Sequence, residues 1–193
     1  MGLLQAHLLT STEYLRHNMA NTYELIESKT LSSSNLAGVT FSTIPQTFDD
    51  LILITSIRSD RSGVPVDGVT GYVNGDNSNQ MSGNVYYGAA GGGAAYSSNS
   101  DAPLNAVGGT GLASVFANGY WYFPRYKDTS INRVWIGSGN SANSTTNTYG
   151  IYGGGWKNTT NAITSITITA QGYPATNLIS GGSSFYLYGI KNA

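Results

Sequence analysis

From Tyr23 to the end of the chain, short apolar–polar alternations are separated by turn residues, the spacing expected of a β-sandwich or barrel. The pattern predicts strands at 23–29, 38–44, 51–58, 70–74, 84–87 and 113–117. It predicts further strands at 120–123, 133–136, 149–152, 162–170 and 184–190. Val39 and Phe41 share one face against Thr40 and Ser42, and Ile166 and Ile168 share one against Thr167 and Thr169. Leu51, Ile52, Leu53 and Ile54 are apolar on both faces, which predicts a central strand covered on both sides. Asn74-Gly75-Asp76 is a tight-turn signal. Residues 88–111 read as a long Gly/Ala/Ser loop or a flat strand lying close to another backbone, and 137–148 as a second polar loop.

Residues 1–20 follow another pattern. Leu3, Leu4, Leu8 and Leu9 cluster there, and Thr10 and Glu13 form a capping box with Leu9 and Tyr14 as its hydrophobic staple. This predicts a short helix near 11–18, too short to stand alone, whose residues Leu4, Leu8, Tyr14 and Leu15 dock on the chain's own domain or on a neighbour. The expected organisation is therefore a helical arm over 1–20 and an all-β domain over 21–193.

Composition changes the picture in one respect. Only 10% of the 193 residues are charged and the net charge is −1, while the chain holds 25 Gly and 14 Tyr. Ordinary globular chains carry about 25% charged residues. Such a surface suits contact with protein or sugar. The nine Lys and Arg form no run, so nucleic acid is not an expected partner. No apolar run reaches the roughly 20 residues of a membrane helix, so no membrane is expected either. With no Cys, thiolate chemistry and thiolate zinc sites are excluded.

Candidate chemistry is sparse. Both histidines, His7 and His17, lie in the arm, so the β-domain lacks the commonest general base and metal ligand. No two of the ten carboxylates stand out as a glycosidase pair, and Asp50 reads as a turn cap. Asp76 to Asn79, joined by Asp60 and Asp67, has oxygen ligands for calcium but no EF-hand spacing, and reads better as a hydrogen-bonded turn. No catalytic residue, metal or cofactor is therefore expected. Asn143 and Asn158 begin glycosylation triplets of a kind that so much Asn and Thr produces by chance.

The one constellation with binding character is aromatic. Along Tyr120-Trp121-Tyr122-Phe123 alternate residues face opposite ways, so one pair belongs to the core. Either both pairs are buried between sheets, or Tyr120 and Tyr122 form a contact surface with Tyr149, Tyr152 and Trp156, fit for protein or for stacking on sugars.

Two stretches carry a resemblance: Tyr23-Glu24-Leu25-Ile26 through Thr30 to Ser34, Val39 to Phe48 and on to Arg58, and the closing Ser183-Ser184-Phe185-Tyr186-Leu187-Tyr188-Gly189-Ile190. Over roughly 20–60 and 160–190 the chain resembles small virion proteins of tailed bacteriophages, cyanophages among them. The resemblance implies a jelly-roll-like antiparallel β-sandwich on the particle surface, decorating or cementing the head or forming part of the tail. The major capsid protein or other virion proteins would be its partners, and a homo-oligomer, such as a trimer, its state. It carries no functional residues over. Relatives often begin near the equivalent of Met19, so residues 1–18 are an added arm or an upstream start, and the capping box favours the arm. A tail module that binds host-surface polysaccharide is the alternative.

Overall fold

The computed structural model describes residues 22–35, 38–76, 81–89, 92–98, 104–142, 148–157, 160–170 and 178–191, and among these there is no helix. The predicted arm, with Leu4, Leu8, Tyr14 and Leu15, lies outside the described residues.

Among the described residues, twelve strands form two sheets. They are β1 (Tyr23–Thr30), β2 (Val39–Phe41), β3 (Asp50–Ile57), β4 (Val66–Val73), β5 (Met81–Ala89) and β6 (Gly92–Ser98). The chain continues through β7 (Leu104–Val107), β8 (Ala117–Phe123), β9 (Arg133–Ala142), β10 (Thr148–Lys157), β11 (Ile166–Ala170) and β12 (Ser184–Ile190). The larger sheet has the order β1-β12-β3-β8-β9-β10-β5-β6 and the smaller β2-β11-β4-β7, with each of these neighbours antiparallel. Without β1, β12 and the β9–β10 hairpin, the orders become β3-β8-β5-β6 and β2-β11-β4-β7. Of the connections among these eight strands, only β5 to β6 stays within one sheet. That is the double Greek key of a jelly roll, so the fold is an all-β, jelly-roll-like sandwich.

The core follows from alternation. Leu51, Leu53 and Ile57 of β3, Trp121 and Phe123 of β8, Trp135 of β9, and Phe185 and Leu187 of β12 point inward from the large sheet. Val39, Phe41, Val69, Val73, Ile166 and Ile168 meet them from the small sheet. The sheets approach closely where side chains are missing. A Cβ at Gly71 would stand 1.8 Å from the Trp121 ring, and one at Gly189 2.2 Å from the Phe48 ring.

Of the two readings of 88–111, the flat Gly-rich strand against another backbone holds for β6, which pairs with β5, and a second strand, β7, follows, because Gly, Ala and Ser can pair in a ladder without an alternating hydrophobic pattern. Three expectations are corrected. The loop predicted at 137–148 is mostly strand: β9 runs to Ala142 and β10 starts at Thr148, each gaining ladder bonds from neighbours on both sides. The strand predicted over 113–117 is a turn up to Ala117, with Ser114 at φ 60. Arg58 holds that turn, its guanidinium donating to the carbonyls of Leu112, Val115 and Gly111 at 2.6, 3.0 and 3.3 Å. Lastly, β3 is central, between β12 and β8, but its second face is not fully covered: Ile54 is 43% exposed.

Candidate contact face

The alternation that buries Trp121 and Phe123 turns Tyr120 and Tyr122 to the outer face of the large sheet. Cross-strand register decides what joins them. Leu25, Tyr188, Ile52, Tyr122 and Ile136 are successive partners across β1, β12, β3, β8 and β9. The next row on the same face is Tyr186, Ile54, Tyr120, Ser138 and Tyr152, crossing from β12 to β10. Tyr23 and Val134 stand two residues beyond Leu25 and Ile136 on the same face.

These rows collect every exposed large hydrophobic side chain among the described residues: Tyr23, Leu25, Ile54, Val134, Ile136, Tyr152 and Tyr186, from 37% exposed at Tyr186 to 59% at Tyr23. The patch spans five strand spacings of about 4.8 Å, roughly 24 Å. Its three rows, two residues apart, extend about 14 Å along the strands, a size at which the largest apolar patch of a monomer is often a contact site.

Of the predicted contact residues, Tyr120, Tyr122 and Tyr152 thus share one face. The side chains of Tyr149 and Trp156 lie outside the described ones. In backbone register Trp156 pairs with Val134, an outer-face position, whereas Tyr149 pairs with Ser141, a buried one. The alternation of β8 was visible in sequence. The contributions of Leu25, Ile54, Ile136 and Tyr186 were not, since they become neighbours only through the strand order.

Ions stand at the rim. Asp50, buried at the end of β3, accepts from the Tyr122 hydroxyl at 2.7 Å and from the Arg125 backbone N–H at 2.8 Å. It thereby holds the turn after β8, where Arg125 has φ 49, as a cap for a neighbouring turn. Burial first, then the Asp50 carboxylate, pushes the Tyr122 phenol up to about 12. Asp49, Asp50, Arg125, Lys127 and Asp128 line a shallow pocket of about 410 Å³ at this end. Lys127 pairs with Asp49 at 3.2 Å, Lys191 with Glu24 at 3.3 Å, and Arg125 with Asp128. The Ser130 hydroxyl and N–H, followed by Arg125, hold the Asp128 carboxyl down at about 2. An apolar area bordered at one end by paired ions fits a protein interface, whose core is apolar and whose edge is polar.

The other carboxylates tie loops. Buried Asp67 accepts from the Ser59 hydroxyl at 2.8 Å and from Arg61 at 2.9 Å, and Asp60 from the Leu178 N–H at 2.7 Å. This use of Asp60 and Asp67 competes with the calcium reading; Asn77 to Asn79 lie outside the described residues. Among the described residues no three His, Cys, Asp or Glu converge as a metal site, and no helix is long and apolar enough to cross a membrane. The Asn74-Gly75 turn is present, with φ 55 and 69 and the Asp76 N–H bonded to the Val73 carbonyl.

No family model matches the chain, and neither does any curated protein or solved structure.

Proposed function

We propose that the chain is a non-enzymatic structural protein of a tailed-bacteriophage particle, a capsid decoration or cement protein that works by contact on the particle surface. The observation that carries this reading is the outer face of the large sheet, where the exposed large hydrophobics gather, with paired ions at one end of it. Removing such a face from water is favourable, and a standard interface buries about 800 Å² per partner. The jelly-roll-like order and the likeness of 20–60 and 160–190 to phage virion proteins support the same reading. The commitment of Asp50, Asp60 and Asp67 to loop ties favours contact over catalysis. Partners of this kind are the major capsid protein or other virion proteins, and a trimer is the oligomer the resemblance suggests.

One observation favours a second reading, a tail module that binds host polysaccharide: Tyr120, Tyr152 and Tyr186 lie in a single cross-strand row, a platform on which sugar rings can stack. A single experiment separates the two. Purified protein is mixed with emptied heads of the phage that carries its gene and, separately, with host surface glycans. Saturable binding to heads that Ile54→Asp with Ile136→Asp abolishes supports the structural role. Binding to glycans alone transfers the face to host recognition, and binding to neither removes both readings.

A further inference from the structure

The outer face has a matching segment in the chain itself. Residues 1–15 hold Leu3, Leu4, Leu8, Leu9, Tyr14 and Leu15 with one charged side chain, Glu13, and so resemble the face in being apolar and nearly free of ions. The described chain begins at Thr22, whose carbonyl accepts from the Lys191 N–H, and Tyr23 and Leu25 already belong to the face. The segment therefore starts at a corner of the patch.

Its length bears on which copy it covers. Residues 16–22, Arg-His-Asn-Met-Ala-Asn-Thr, separate the last apolar anchor, Leu15, from Tyr23. Seven residues reach up to about 23 Å when extended, close to the full width of the patch. A cover for the chain's own face would place its apolar residues beside the corner; a mainly polar spacer of this length, with Met19 and Ala20 its apolar members, suits a bridge to the next molecule. The β1 edge, where the segment enters, is a poor competing site. β1 carries a bulge between Leu25 and Glu27 and a Glu27–Lys29 ion pair at 2.7 Å, features that discourage strand addition.

We propose that residues 1–15 of one copy lie on the outer sheet face of a neighbouring copy, so that each molecule donates an arm and receives one. This rests on the contact reading of that face and names its occupant in the protein free of particles, an arm that binding to a head would displace. Exchange of a terminal segment is a low-cost route to a closed oligomer.

The absence of cysteine makes the test direct. Full-length Leu8→Cys and full-length Ile136→Cys are mixed under mild oxidation, with Val134→Cys as a second receiving position and exposed Ser62→Cys as control. The arm-to-face disulfide between two chains should form about a hundredfold faster than the control pair, since docking raises the local thiol concentration from micromolar toward millimolar. Three results would overturn the proposal. An intrachain disulfide in the Leu8→Cys, Ile136→Cys double variant without cross-linking in the mixture means that the arm covers its own copy. Rapid Ile136→Cys homodimers mean that two faces pack together. Rates equal to the control mean that the arm does not dock there. Failure to bind phage heads would leave the cross-link unaffected, so the two proposals fail separately.

Discussion

Arg133 shows how a few ions serve a chain that has so few. Its guanidinium is buried and donates to the carbonyls of Asn161, Arg125 and Thr160, each at 2.8 Å. Burial lowers its pKa, yet a guanidinium stays charged, so one planar fork ties the start of β9 to two loops. Arg133→Lys retains the charge but cannot span three carbonyls. It should destabilise by about 2–4 kcal/mol in denaturant titration, the cost of buried acceptors left unmatched. Tyr122 gives a second prediction. Its phenol titrates at about 12 in the folded chain against 10.0 as the ordinary value, so between these pH values the unfolded chain has released a proton that the folded chain keeps. Stability from this group is therefore complete below pH 10 and is lost as pH rises toward 12. Tyr122→Phe should remove that alkaline slope and, by taking a donor from buried Asp50, cost about 1.5–3 kcal/mol at neutral pH. Denaturation midpoints of the two proteins across the alkaline range check both parts.

At the level of elements, the contact between sheets depends on places where a side chain is absent. Gly71→Ala would drive a methyl group into the Trp121 ring and should cost more than the usual overpacking penalty of about 1–3 kcal/mol. Gly150→Ala, with nothing within 4 Å of its Cβ, should leave the melting temperature nearly unchanged. The same contrast explains what was legible beforehand. Strands such as β3, β8, β11 and β12 announce themselves because one face must be apolar; the predicted spans of β3 and β12 agree with the observed ones to within a residue, while β8 begins three residues earlier and β11 four residues later than predicted. β6 and β7 do not, since Gly-Gly-Ala-Ala contributes backbone to a ladder and little to a core. At 113–117 the apolar letters mislead, because Arg58, distant in sequence, draws that stretch into a turn. For the contact face, the split between Tyr120/Tyr122 and Trp121/Phe123 was readable from period two. The enclosing patch was not, because β1, β12, β3, β8 and β9 are brought side by side by connections that leave no local signature.

For the molecule as a whole, the sheets are unequal: eight strands against four. An ordinary sandwich balances its two layers and turns polar outer faces to water. Here the larger layer is apolar outside as well as inside along β3, where Leu51 and Leu53 fill the core while Ile52 and Ile54 stand on the outer face. With a net charge of −1 and the nearby ions paired, little long-range field is available to attract or align a partner. Association through this face must then draw on water release, which fixes its response to salt. Raising sodium chloride from 0.1 to 1 M shortens the screening length from about 10 to about 3 Å and would weaken an ionic contact severely. Binding to phage heads should instead change by less than about twofold over that range, because screening acts on charges the face lacks. Sulfate should tighten it, and calorimetry should give a negative heat-capacity change. A loss of about tenfold in affinity with added chloride would move the contact from the tyrosines and aliphatic residues to the charged pocket beside Asp50.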